Sequence, residues 1–283
     1  MSQRREAAIV GIHEYPLRVA PGVSSLQIKA ASAAKALSDA GLNWQDVDAV
    51  YDTGTHQNIG GLGISEYLGL KPDLIDTTSV GGSSYEFQAN HAATMIAAGK
   101  ANVALLTYGS TAHSDRRAIG TGGATGQGSP TPFNNMEDPW GMTLISNYGM
   151  VKARHMHQYG TTDEQFANIS VATRYHAMRN PEAVKAMTDL EFVGVNEITT
   201  QDVMDSRLIA WPLHLLECCM VSDGGGAVVI ASKEIAANCS KKPVWIIGGG
   251  EATKYRENGG DITVSAGAQS GPRAFADAGV TPD

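Results

Sequence analysis

At 283 residues with 42% hydrophobic content, the chain is long enough to bury one large core or two modest ones. Its 21 basic against 29 acidic residues leave a net charge of -8, which gives no electrostatic footprint for nucleic acid or an anionic membrane surface. Residues 1–16 carry Arg4 and Arg5 but lack the apolar stretch and small-residue cleavage site of a secretory signal. No run approaches the roughly 18 apolar residues of a membrane span, so a soluble, cytoplasmic protein is expected.

In chain order, AAIVGI (7–12) reads as a buried strand, being short, rich in branched residues and bounded by polar turns. SLQIKAASAAKALSDAG (25–41) follows as a helix, with Leu26, Ala30, Ala33 and Leu37 at helical spacing and Gly41 as the stop. VDAVYDTG (47–54) is the next strand, and SSYEFQANHAATMIAAG (83–99) the next clear helix, stopped by Gly99. ANVALLTYG (101–109), GGAVVIAS (225–232) and VWIIGGG (244–250) complete the set of buried strands. Strands alternating with helices predict an α/β domain with a largely parallel sheet.

Residues 110–145 differ in texture, holding GTGGATGQGSPTPF and few periodic apolar positions. This is loop, and a long loop inside a compact domain is a candidate wall for a site or a partner-binding excursion. Beyond it, NYGMVKARHMHQYG (147–160) and TDEQFANISVATRYHAMR (162–179) read as two helices, the second with Thr162 as N-cap and Glu164 in its first turn. Cys218, Cys219 and Cys239 include an adjacent pair but no C-x-x-C spacing, which fits three thiols in a reducing compartment.

The chain also repeats itself. RAFADAGVTPD (273–283) echoes KALSDAGLNWQD (35–46); Gly41 aligns with Gly279, an offset of 279 minus 41, or 238. The same offset lays Ile9, Val10 and Gly11 on Ile247, Gly248 and Gly249, so the strand before the helix repeats too. One whole α/β unit is therefore followed by the opening strand and helix of a second.

These residues resemble the thiolase superfamily, whose subunit is two copies of one βαβαβαββ unit placed back to back. The likeness is to its sterol-carrier-protein-2-type thiolases and thiolase-like lipid-transfer proteins. ARHMHQYGTTDEQFANISVATRYHAMRNPEA (153–183) is similar to their helical segment with YGT, FA and NP landmarks, and LHLLECCMVSDGGGAVVIAS (213–232) to their CC-x-x-SDG strand entry. The resemblance implies a thiolase-like αβαβα layered fold. The first unit (1–243) would be complete, with a loop and helical insertion at about 110–185, and the second (244–283) only begun. It also implies that the family pattern continues past residue 283, so a C-terminally truncated form is expected.

A thiolase nucleophile is a cysteine at the amino end of a helix, where the dipole and free N–H groups stabilise the thiolate. The corresponding segment here, DTTSVGGSSYEFQANHAATMIAAG (76–99), has no cysteine, and the resemblance places the nucleophile's position at Gly82 or Ser83, with Ser83 favoured. A serine there needs a partnered base, and His91 lies about two turns along the helix, too far for a direct hydrogen bond. Ser83 and Ser84 read instead as caps of the first helical N–H groups, while Gly81 and Gly82 let a thioester oxygen approach backbone donors.

Retro-aldol cleavage of a β-hydroxyacyl thioester forms no acyl-enzyme. The resemblance implies that family members lacking the nucleophile act as aldolases on steroid side-chain CoA thioesters, with tyrosines as acid/base groups. Tyr255 is the candidate for such a tyrosine, with a ring packed on the sheet surface as the equal alternative. His56, in the loop after a strand end, is a further catalytic candidate; Gly81, Gly82, Ser84 and His91 are candidate substrate-binding residues. No bound cofactor is expected, coenzyme A entering as part of the substrate.

Other polar groups fit structural roles. His155 and His157 are two apart and face different ways on a helix, so they make no metal pair. Asp223 fixes a turn, and the glycines at 224–226 and 248–250 form no dinucleotide fingerprint. The partners implied are an acyl-CoA substrate, a second copy of the chain, and a small OB-fold/zinc-ribbon protein of the kind paired with such aldolases. The reaction expected is carbon–carbon cleavage, with acetyltransferase-type acyl transfer and a non-catalytic acyl-CoA-binding scaffold as the alternatives.

Overall fold

The computed structural model describes residues 5–54, 59–116, 143–254 and 260–282. By its internal contacts the chain divides into two compact units: Met1–Thr111 with Asp223–Tyr255 and Ser265–Asp283, and Ala112–Ser222 with Arg256–Val264. This partition follows packing; the repeat-based division at 243/244 follows the likeness of two sequences.

The first unit is built on strands β1 (Ala7–Glu14), β2 (Ala49–Tyr51), β3 (Leu74–Asp76) and β4 (Val103–Thr111) and helices α1 (Ser25–Ala40), α2 (Gly60–Leu68) and α3 (Ser84–Ala97). After the chain's excursion through the second unit, β7 (Asp223–Ser232), the short α8 (Lys233–Ala236), β8 (Val244–Trp245) and α9 (Gly267–Ala278) complete it. The strands form one sheet in the order β3-β2-β4-β7-β1-β8. Helices α2 and α3 serve as crossovers, so β3 and β4 both run parallel to β2. β7 enters between β4 and β1 antiparallel to both, and β8 pairs antiparallel with β1. The sheet is thus mixed rather than largely parallel, because β7 arrives from the second unit and not through a crossover helix.

Two apolar layers flank the sheet. On one face Ala33, Ala36, Leu37 and Ala40 of α1 pack with Val10, Val50, Leu105 and Val229; on the other Ala92, Ala93 and Ile96 of α3 pack with Ala49, Tyr51, Leu106 and Ile230. Each large aliphatic side chain buried this way contributes about 1.5–3 kcal/mol. A bulge between Ile9 and Gly11 re-aims β1. It sets Gly11 under α1, where a Cβ would come within 2.2 Å of the Ala36 carbonyl oxygen. Helix α1 is held at its start by a reciprocal Ser24–Gln27 capping box and ends at left-handed Gly41.

The repeated phrase has a matching structure. Helix α9 ends at Gly279 in the left-handed conformation of Gly41, φ +63° against +77°. The glycine run before α9 presses on it as Gly11 presses on α1: a Cβ on Gly248 would meet Ala278, and one on Gly250 the Ser270 carbonyl and Ala274. The expected buried strand at 244–250 shrinks to Val244–Trp245, with Val244 exposed, because β8 lies at the sheet edge and the glycines beyond it give their space to α9 and Asn90.

The second unit comprises α4 (Leu144–Tyr159), α5 (Asp163–Ala177), α6 (Pro181–Asp189) and α7 (Thr200–Asp205), with a β5 (Leu208–Ala210)–β6 (Leu213–His214) hairpin. As expected, Thr162 caps α5, in a box with Gln165, and Asp163 and Glu164 occupy its first turn. Lys152 is its polar centre: nearly fully buried, it donates to the Glu217 carboxylate at 2.6 Å and the Pro212 carbonyl at 3.0 Å, and pairs with Asp163. Most of the glycine-rich 110–145 stretch lies outside the described residues.

Candidate functional site

In an α/β sheet the crevice for ligands lies beyond the carboxyl ends of the parallel strands. Here that edge is formed by Asp52–Gly54 after β2, the turn from Asp76 to Ser83 after β3, and the first turn of α3. The turn is tied by its own side chains. Asp76 accepts from the Thr78 N–H and hydroxyl, both at 2.7 Å. Buried Ser84 accepts from the Val80 N–H at 2.8 Å and donates to the Gly81 carbonyl at 2.6 Å. Ser84 therefore closes the loop from inside the helix.

Ser83 stands at the N-cap position of α3, exposed, and its side chain makes no capping hydrogen bond; the capping expected of it is absent because its backbone, at φ -74° and ψ 1°, is not in the extended conformation of a typical cap. Gly81, at φ +87°, needs the freedom of glycine, and a Cβ on Gly81 or Gly82 would meet nothing within 4 Å. The amino end of α3 is thus open on the side of the glycines. Beside it, a cleft of about 550 Å³ runs over the sheet, with Ile9, Leu106, Tyr108 and Val228 beneath it and Tyr85 and Ala89 of α3 along one side.

His91 is committed elsewhere. Its Nδ1 lies 2.7 Å from Asp76 Oδ2 and its Nε2 3.3 Å from Glu251 Oε1, which also accepts from Asn90 Nδ2 at 2.7 Å. Burial opposes the imidazolium, but the hydrogen bond to Asp76 and the charge of Glu251 outweigh it, and the pKa of His91 rises above its ordinary value. For Asp76, burial is likewise outweighed by the hydrogen bonds from Thr78 and His91, and its carboxyl is held below the usual range. With both ring nitrogens facing carboxylates, His91 has no lone pair to offer Ser83.

Lys29, Asp52 and Tyr85 are functional candidates that only the fold brings together. Lys29 Nζ, fully buried beneath the sheet end, lies 2.7 Å from Asp52 Oδ1, which also accepts from the Gly54 N–H at 2.7 Å; Asp52 Oδ2 accepts from the Thr107 hydroxyl at 2.6 Å. The Tyr85 phenol sits 3.2 Å from the Thr53 hydroxyl and its ring packs edge-on against Tyr108. Burial raises the Tyr85 pKa far above the ordinary phenol range, which keeps the phenol protonated. A lysine at a helical position beside Ile28 was one available signal, but nothing in the sequence pairs it with Asp52.

Tyr255 and His56 lie outside the described residues. The three cysteines are free; burial pushes the Cys218 thiol up, the opposite of an activated nucleophile. Among the described residues no group of three or more His, Cys, Asp or Glu side chains is arranged to hold a metal, and no helix is long and apolar enough to cross a membrane. Asp223 accepts from the Ala20 N–H at 2.8 Å, fastening the loop before α1 to the start of β7.

No family model matches the chain. It is 30% identical over 256 residues to the steroid side-chain-cleaving aldolase of Thermomonospora curvata, covering 89% of this chain and 63% of that protein. It is 33% identical over 249 residues to the 17-hydroxy-3-oxo-4-pregnene-20-carboxyl-CoA lyase of Mycobacterium tuberculosis, covering 85% and 61%. The chain thus spans less than two thirds of the length of these relatives. Among solved structures, the Ltp2-ChsH2(DUF35) aldolase superposes with a TM-score of 0.82 at 28% identity over 99% of this chain and 71% of that one. A monomeric SCP2-thiolase-like protein of Mycobacterium smegmatis shares the fold at a TM-score of 0.70 and 19% identity, over 99% and 58%.

Proposed function

Since this chain belongs to the thiolase superfamily, among its sterol-carrier-protein-2-type thiolase-like members, we propose that it acts on acyl-CoA thioesters and breaks a carbon–carbon bond by retro-aldol chemistry. One observation carries the choice of chemistry: the segment where the family's cysteine is expected holds none, Ser83, the favoured of its two candidate positions, is exposed, and the one histidine of α3 faces Asp76 and Glu251. A covalent acyl-enzyme at Ser83 would lack both an acidic nucleophile and a base.

Retro-aldol cleavage needs no nucleophile on the protein, and its base acts on the substrate's own hydroxyl. A base takes the proton of the β-hydroxyl, the bond between the α and β carbons breaks as the carbonyl forms, and the electron pair enters the thioester enolate, which is then protonated at the α carbon. The open amino end of α3, with its N–H groups and the empty space around Gly81 and Gly82, suits the thioester oxygen on which negative charge develops. Tyr255 is the proposed acid/base group, and the substrate class is a steroid or lipid side-chain β-hydroxyacyl-CoA. The proposed working form is a cytoplasmic homodimer joined to a partner of the kind named in the solved aldolase complex.

The test uses the full-length natural protein with that partner and a branched β-hydroxyacyl-CoA. The expected products are a ketone and a shortened acyl-CoA, with Tyr255→Phe at least about a hundredfold slower. Thiolysis on addition of free CoA would replace this reading with acyl transfer; a thioester bound but left intact would replace it with a scaffold.

A further inference from the structure

Lys29 and Asp52 are 1% and 0% exposed, and taking such a pair out of water carries a desolvation cost that apolar residues of similar size would not incur. Both Asp52 oxygens are used, and the groups they hold are not scattered through the core. Gly54 follows β2 directly at the carboxyl edge, and Thr107 precedes Tyr108, part of the cleft. Between Asp52 and Gly54 stands Thr53, whose hydroxyl meets the Tyr85 phenol on the cleft wall. The molecule also makes room for this arrangement: a Cβ on Gly109 would come within 2.5 Å of the Ser25 carbonyl and 2.9 Å of Lys29 Cγ, so a glycine in β4 lets the lysine stem pass.

We propose that Lys29 and Asp52 are positioning residues for the thioester site: the buried pair fixes the Thr53–Gly54 turn and, through the Thr53 hydroxyl, holds the Tyr85 phenol on the wall of the cleft beside the head of α3. The inference rests on the reading of the site given above and assigns it a second tyrosine, whose phenol is held against the Thr53 hydroxyl, which itself donates to the Gly54 carbonyl at 3.1 Å. A buried carboxylate locked by a cation, an amide and a hydroxyl has one orientation, and a turn bonded to it inherits that orientation.

The experiment compares variants of the full-length natural protein with its partner in β-hydroxyacyl-CoA cleavage and thermal unfolding. K29M/D52N removes both charges but keeps an amide oxygen for the Gly54 N–H. K29M/D52L removes that acceptor as well. The expected result is a kcat loss of about tenfold for the first, which keeps one acceptor but loses the cation that orients it, and of about thirtyfold or more for the second, each with KM within about threefold and at similar Tm. Thr53→Val, near the surface and isosteric, is expected to lose about tenfold in kcat, and Thr53→Ser to restore it.

Wild-type turnover by K29M/D52L or Thr53→Val, or losses that merely follow Tm across the set, would overturn the proposal; if K29M/D52L does not fold, the Thr53 pair decides it. Should the wild type cleave no thioester, the reaction reading fails by itself. Amide exchange then decides the positioning: faster exchange at Gly54 and Tyr85 in Thr53→Val, with β4 and β7 unchanged, upholds it, and unchanged exchange rejects it.

Discussion

Asp76 and His91, fifteen residues apart, meet at 2.7 Å where β3 ends and the middle of α3 begins, and their contact turns the helix's only imidazole away from Ser83. Glu251 completes the clamp from the segment after β8. The histidine thus fastens the beginning of the second repeat to the helix that carries the candidate site.

This clamp sets a pH dependence. His91 binds its proton more tightly folded than unfolded, so its contribution is full below the ordinary value of 6.5 and is lost as pH rises through the higher folded value. Asp76 has the opposite sign: its contribution is full above 3.8 and is lost as pH falls through the lower folded value. The Tm difference between wild type and His91→Gln is therefore expected to be largest near pH 5–6 and to narrow above pH 7. Thermal unfolding across pH 4–9 measures it, and a difference that stays flat would contradict the clamp.

The two serines at the head of α3 are expected to behave differently. Ser84→Ala leaves the Val80 N–H without its acceptor and should cost about 1–3 kcal/mol in a denaturant titration. Ser83→Ala removes an exposed side chain that caps nothing, so its stability change should stay within about 0.5 kcal/mol. Thioester cleavage by Ser83→Ala within about threefold of wild type is the outcome expected of a non-covalent reaction; abolished cleavage would restore Ser83 as a nucleophile.

Three glycines test the structural repeat. Gly11→Ala places a methyl 2.2 Å from the Ala36 carbonyl oxygen, and Gly248→Ala places one 2.5 Å from the Ala278 nitrogen, so each should cost about 1–3 kcal/mol or more. Gly271→Ala, inside α9 with nothing within 4 Å, should be neutral or stabilising by up to about 1 kcal/mol. Unfolding midpoints of the three variants separate close backbone packing from helix propensity.

In the second unit, Lys152→Met leaves the Glu217 and Asp163 carboxylates without their cation in a buried setting. A loss of about 3–5 kcal/mol is expected. Limited proteolysis of α4–α7 gives the local readout, and protection equal to wild type would remove Lys152 from its central place.

Much of the fold was legible because it is local. Thr162 and the glycines at 41 and 279 mark helix ends whatever surrounds them, and the branched runs at 101–109 and 225–232 can be little else than strands. The missing cysteine before α3 was equally plain, since a nucleophile's absence is a property of composition. Val244 was misread as buried because an apolar run does not say whether its strand will be central or at an edge.

The element types, the repeat and the lack of a cysteine before α3 are written in the chain, since each follows from neighbours a few positions apart or from residue identity alone. The antiparallel entry of β7, the facing of His91 to Asp76 and Glu251, and the reach of Lys29 to Asp52 arise in the folded molecule alone. Those pairings join residues distant in the chain, and their strength comes from burial, which removes the water that would otherwise compete for the same charges.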